Sequence, residues 1–407
     1  MNTDTIDLTD IDAFARGDHF AMFRWLRDND PVHWHPLPDG GGFWALTTHR
    51  DVSAAYLDNG ALLSSGGAML GGSYRNEADT AAGRMLVSTD PPRHRMLRQR
   101  MHPGFTGELA RRCGEQVSSL VDAAMDQALR DGGCDFATTV ARELPAGVLM
   151  AMMDVGRDDA HRLIDMTRRM IGFRDPSYVD IEGDERLRLA EIQAEIFEYF
   201  YDLVLQRRGR PGADLVTLLA NTTVNGQPLS IEDAVFNCMN AAVGGNETTS
   251  HTACAGIVAL TERPDQYTLL LDHLELLDSA VNEILRWTSV NAYVKRVAAR
   301  DISIGDRDIR AGDSVTLWNI SANRDPEQFD APDEFDIARS PNRHLSYGNG
   351  IHRCVGSNLA HLELTILLRR FVRDRVRFSL RGDVERTRSN FILGVNSLPL
   401  GMTRERG

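Results

Sequence analysis

Apolar positions along the chain recur mostly at helical spacing. They do so from 92 to 131, and again over 191–208, where the pattern stops at Gly209-Arg210-Pro211-Gly212. Residues 159–190 predict another helix and a connection around Asp175-Pro176-Ser177. Ser230 followed by Ile231-Glu232-Asp233 is a helix start with acids in its first turn. The run from there to Thr261 predicts a helix of about 45 Å at 1.5 Å per residue. It is apolar on most faces, so it should cross the core. Residues 265–287 predict one or two more helices. Strand-like alternation is confined to short pieces. Residues 32–47 hold two aromatic-bearing runs around Pro38-Asp39-Gly40-Gly41, a β-hairpin. Residues 301–318 predict small antiparallel strands, and so does the tail after about 374. Residues 60–88 are rich in Gly, Ser and Ala and predict a long loop with short helical pieces, of the kind that often forms a lid. The expected fold class is mainly α with small β-sheets. Its β-rich parts are 32–58, 296–320 and 374–400, and its helical body is 92–290 and 357–373.

Length alone, 407 residues, would suggest two or three domains. No linker-like composition break occurs, so one domain over 1–407 is expected. An apolar content of 42% excludes wholesale disorder. A net charge of −13 argues against a nucleic-acid partner. The five cysteines are Cys113, Cys134, Cys238, Cys254 and Cys354. Their odd number and the lack of a CxxC pair suggest neither a disulfide framework nor a zinc ribbon, and a reducing cytoplasm fits them. The acidic N-terminus has no apolar run of the signal or anchor kind. The most apolar long stretch, 231–260, is interrupted by Asn246, Glu247, Thr248, Thr249 and Ser250, which a bilayer core would resist. No membrane association is therefore expected. Lys295 is the sole lysine, a bias expected of a GC-rich bacterial genome.

One segment changes the picture. Tyr347-Gly348-Asn349-Gly350-Ile351-His352-Arg353-Cys354-Val355-Gly356 precedes a helical run over 357–371. Its glycines let the backbone bend around something flat, and Cys354 falls just before a helix N-terminus, where dipole and free N–H groups favour a thiolate. A lone cysteine in a glycine turn reads first as a structural thiol. The flanking pattern resembles the haem-ligand signature of the cytochrome P450 superfamily, FGxGxHxCxG followed by LAxxE. The tail here is Leu359-Ala360-His361-Leu362-Glu363. Tyr347 replaces the usual Phe as an aromatic lid near the sulfur, and His361 stands where bacterial members often carry Arg.

Three further segments resemble the family in its order. Glu283 and Arg286 match ExxR, and Arg339, in a loop between them and the cysteine, would complete a buried Glu–Arg–Arg cluster. Gly244-Gly245-Asn246-Glu247-Thr248-Thr249 is similar to the oxygen-activation motif (A/G)GxxT. The resemblance implies that Gly245 makes room for dioxygen, that Thr248 orders water and that Glu247 relays protons. It also makes His94, Arg98, Arg296 and His352 donors to haem propionates, with Tyr347, Gly348 and Gly356 around the cofactor. The implied cofactor is haem b with Cys354 as thiolate axial ligand.

By family position, the substrate pocket draws on Met69, Asn237, Asn240, Ala241, Val290, Asn291, Tyr293, Ile392 and Leu393. Most of these could equally be core. Three asparagines among apolar groups suggest a small organic substrate with polar functions. The implied reaction is O2-dependent monooxygenation, hydroxylation or epoxidation, in bacterial specialised metabolism such as antibiotic biosynthesis. Oxidative coupling, a substrate presented by a carrier protein, and a non-catalytic haem module are the rivals. No flavin or nicotinamide domain is visible, so electrons should come from a ferredoxin-type donor with a separate reductase. Arg93, Arg95, Arg100, Arg111, Arg112 and Arg353 are expected to form a basic patch for that acidic donor.

Overall fold

The computed structural model describes residues 6–38, 40–70, 81–224 and 226–405. The middle of the predicted lid, 71–80, lies outside the described residues. Ser230 caps the long helix as predicted, its side chain accepting from the Asp233 N–H, and the helix runs Ile231–Glu262. Nineteen of its residues are buried, so it crosses the core. Helices Gly107–Arg130, Glu143–Met153, Arg157–Ile171, Leu277–Thr288 and Ser357–Arg373 contribute to the same apolar cluster.

The helix expected over 191–208 starts earlier and spans Glu185–Arg207. Asp184 sets that start by accepting from the N–H groups of Arg186 and Leu187. The cap, not the apolar period, decides the boundary. The helix ends just before Gly209, whose φ of +74° suits glycine.

The hairpin forms from Val32–Pro36 and Gly42–Leu46. It is part of a five-stranded sheet in the order Val32–Pro36, Gly42–Leu46, Ser314–Trp318, Tyr293–Ala298, Leu62–Leu63. Ser314–Trp318 runs parallel to the hairpin strand and antiparallel to Tyr293–Ala298. All five of its residues are buried. Its polar member Thr316 is satisfied internally, donating to the Trp44 carbonyl and accepting from Trp318 Nε1. Two assignments need correction. Residues 49–57, counted in the β-rich part, form the helix His49–Leu57, capped by Thr48. Gly133–Asp135, inside the helical body, is a strand that joins Pro399–Arg404 of the tail sheet. Among the described residues, no helix is long and apolar enough to cross a membrane.

Candidate active site

The long core helix and the cysteine segment face each other across a cavity of about 1600 Å³, its open mouth included. Gly244, Gly245, Thr248, Thr249 and Thr252 line one wall. Tyr347, Gly348, His352, Cys354 and Gly356 line the other. The cysteine loop folds as it does because glycine allows it. Gly350 sits at φ +67°, and a Cβ there would lie 2.8 Å from the Tyr56 carbonyl oxygen. The Cys354 N–H closes the loop on the Tyr347 carbonyl at 2.8 Å. Cys354 is exposed toward the cavity but flanked by dense protein. Burial raises its thiol above the ordinary value, against the Gly356 N–H and the charges of Arg98 and Arg353. The helix end and arginines thus act with the expected sign, but they do not by themselves make a thiolate. A metal ion bound there would supply further positive charge, since a metal-bound thiol is deprotonated outright.

Four side chains gather at one edge of the cavity. The rings of His94 and His352 lie 4.1 Å apart, and Arg98 and Arg296 line the same edge. His94 Nε2 has no hydrogen-bond partner among the described residues. The Arg296 Nη1 donates to the Lys295 carbonyl at 2.7 Å. Burial, reinforced by neighbouring arginine charge, lowers His94 to about 4 and His352 to about 3. The edge is therefore rich in positive charge and donors, and fits an anionic group such as a carboxylate. A flat dianionic macrocycle, with its metal over Cys354 and its carboxylates at this edge, fits the residues present. Ser64, whose hydroxyl meets His352 Nε2 at 3.0 Å, belongs to this edge and carries no sequence signal.

Behind the cysteine loop, Arg286 and Glu283 pair through two hydrogen bonds of 2.8 and 2.7 Å, both side chains fully buried. Arg339 Nε joins at 3.2 Å, and Glu283 also accepts from the Asp336 N–H and Asn342 Nδ2. Arg286 donates onward to the carbonyl of Asn323. Asn323 in turn accepts from the Leu345 N–H and donates to Ser346 Oγ, at the start of the cysteine loop.

On the core helix, Thr248 lines the cavity and donates to the Gly244 carbonyl at 2.8 Å. Among the described residues, a Cβ at Gly244 or Gly245 would meet nothing within 4 Å, so their packing does not demand glycine there. Glu247 is elsewhere. It is 1% exposed, does not line the cavity, and accepts from Thr167 of the helix Arg157–Ile171 at 2.8 Å. Glu363 reaches the cavity from the cysteine helix; burial holds its carboxyl well above its ordinary value despite a hydrogen bond to Thr249.

Of the predicted pocket residues, Asn240, Ala241, Val290 and Asn291 line the cavity. Asn237 does not. Its amide accepts from the Leu86 N–H and donates to the carbonyls of Arg84 and Asp233, which pins the segment after residue 80 to the core helix. Met69 and Tyr293 line a smaller neighbouring cavity. Ile392 and Leu393 pack in the tail, where the Leu393 N–H bonds the Val290 carbonyl. Leu86, Val87, Leu149, Met152 and Val294 line the main cavity without having been singled out in the sequence. They come from separate elements and carry no motif. The arginine patch is also reduced, because Arg93 pairs with Asp233 at 2.6 Å and Arg111 pairs with Glu108 and Glu115.

A family model described as Cytochrome P450 matches residues 44–399. The chain is 34% identical over 402 residues to cytochrome P450 NovI of Streptomyces niveus, covering 98% of this chain and 96% of that one. It is 31% identical over 402 residues to linalool 8-monooxygenase of Pseudomonas putida, covering 96% and 97%. Among solved structures it is similar to P450 OxyD, which is involved in the biosynthesis of vancomycin-type antibiotics. The TM-score there is 0.87 at 34% identity, covering 98% of this chain and 100% of that one.

Proposed function

The chain belongs to the cytochrome P450 family, haem enzymes with a cysteine-thiolate axial ligand, and from that premise we propose that it monooxygenates a small, largely apolar molecule carrying a polar function. The observation that carries this reading is the single cavity with Cys354 on one wall and Thr248 on the other. Bound haem supplies the oxygen activation, one atom entering the substrate and the other leaving as water. In this reading Cys354 is the axial ligand and the Gly356 N–H steadies its sulfur. Arg98, Arg296 and His352 would hold the propionates, and His94, whose Nε2 has no partner among the described residues, would add a further contact at the same edge. Gly244 and Gly245 leave room above the ring. The Thr248 hydroxyl orders water at the reacting face. Leu86, Val87, Leu149, Met152, Val290 and Val294 exclude bulk water, while the amides of Asn240 and Asn291 offer donors and acceptors to the polar part of the substrate.

The relationship to OxyD supports a place in specialised metabolism. Electrons would arrive from an acidic ferredoxin-type donor at Arg95, Arg100, Arg112 and Arg353, the arginines of the patch that pair with no carboxylate among the described residues. The deciding experiment has two parts. The reduced, carbon monoxide-treated protein should show the red-shifted thiolate band, and Cys354→Ala should abolish it. An unchanged band in the variant removes the ligand assignment. A library of apolar compounds with hydroxyl or amide groups should then contain ligands that shift the haem spin state, and matched hydrocarbons should bind more weakly. Equal binding of both sets would remove the polar-function reading.

A further inference from the structure

Glu247 and Thr248 are adjacent on one helix yet face opposite ways. Thr248 borders the cavity, while Glu247 is buried against the helix Arg157–Ile171. One oxygen of Glu247 accepts from Thr167 Oγ1 at 2.8 Å. The other meets His251 Nε2 at 3.2 Å, one turn along the same helix, with Arg168 Nε at 3.9 Å. His251 is itself 2% exposed.

The far side of the imidazole assigns its tautomer. Nδ1 lies 3.1 Å from the Val395 backbone nitrogen. A backbone N–H can only donate, so Nδ1 is the acceptor and the ring proton sits on Nε2, directed at the carboxylate. Packing holds the ring in that place. A Cβ built on Gly394 would come within 2.9 Å of His251 Nε2 and 2.1 Å of Thr387 Oγ1. The tail turn that bears Gly394 and Val395 is anchored in its turn. Thr387 Oγ1 and Tyr178 OH both donate to Asn396 Oδ1, at 2.5 and 2.7 Å. Asn396 Nδ2 and the Arg388 N–H donate to the buried carboxylate of Asp175, at 3.0 and 2.9 Å. Asp175 and Tyr178 stand in the connection between helices Arg157–Ile171 and Glu185–Arg207.

We propose that His251 is a positioning residue that fixes the orientation of the Glu247 carboxylate and ties it to the tail turn 387–396. This rests on the monooxygenase reading and adds to it a way for the connection above the core helix and the acid beside Thr248 to share one hydrogen-bonded frame. The carboxylate held by His251 Nε2–H and Thr167 has a fixed position on the turn that carries Thr248, and any proton relay by Glu247 would depend on that position. Without the imidazole, one carboxylate oxygen loses its nearest donor and the group turns.

The test requires no known substrate. Dithionite-reduced holoprotein is mixed with dioxygen, and the rate of haem re-oxidation is followed in H2O and in D2O. Glu247→Gln provides the reference for a lost acid. His251→Phe should change the rate at least threefold and move the solvent isotope effect to the value of Glu247→Gln. His251→Gln, which keeps a donor, should stay near the wild type. Gly394→Ala, which pushes on the ring from outside, should resemble His251→Phe if the histidine variant itself folds poorly. Amide hydrogen exchange over 387–397 should quicken in His251→Phe and Gly394→Ala, a readout independent of turnover. Faster exchange with an unchanged rate and isotope effect would make His251 purely structural and overturn the proposal. The carbon monoxide band of the wild type, recorded first, separates this outcome from a failure of the haem-thiolate reading.

Discussion

Asn237 and Asn240 lie one turn apart on the core helix, and the helical period aims both toward the same side. Asn240 lines the cavity, but Asn237 meets the backbone at Leu86 and Arg84 and uses its amide there. The two residue types are identical; the neighbours make the roles different. Asn237→Ala should therefore leave the Leu86 N–H and the Arg84 carbonyl without that partner and cost about 1–3 kcal/mol of stability. Denaturant unfolding checks this, and the spin-state response to a ligand found by library screening should keep its affinity. A lost response at full stability would return Asn237 to the pocket. Arg93 shows the same effect among charges. It counts as a basic residue in the sequence, but Asp233, 140 positions away, neutralises it.

Among whole elements, the motifs were legible where a short stretch carries its own chemistry. The Cys354 loop needs glycines, and the Glu283-to-Arg286 spacing places acid and base on one helical face. The arrival of Arg339 from a distant loop was legible only through family order, because nothing local links residues 283 and 339. That cluster holds three elements to the cysteine loop, and both core members are fully buried. Glu283→Gln should leave two arginines without their carboxylate and cost about 3–5 kcal/mol. The expected outcome is a lower thermal midpoint and a small yield of haem-loaded protein. A normal yield with an unchanged midpoint would contradict the structural role. Element boundaries were less legible than elements. The start at Glu185 depends on the Asp184 cap, and the strand Gly133–Asp135 exists because Pro399–Arg404 pairs with it. A three-residue strand has no period of its own to read.

The molecule as a whole acquires a pH dependence that no segment displays alone. His19 and His35 are buried, and burial lowers each to about 4. Unfolded, each titrates near 6.5. Between those values the unfolded chain binds more protons than the folded one, so stability rises with pH there. Acidification from about pH 6.5 toward 4 should progressively lower the thermal midpoint, and His19→Phe with His35→Phe should reduce that slope, the rest coming from His94, His344 and His352, which burial lowers in the same way. A slope unchanged in the double variant would assign the acid sensitivity to other groups. The residues of the chain were enough to locate the cysteine loop, the adjacent acid and alcohol, the Glu283–Arg286 pair and the long helix, because each depends on spacing within a few turns; Arg339 came only with the family resemblance. Folding decided which way Glu247 points, which asparagine meets the cavity and which arginines remain uncompensated. Those outcomes depend on partners such as Thr167, His251 and Asp233, brought together by packing, and a periodicity fixes the angle of a side chain about its own axis without saying what stands opposite it.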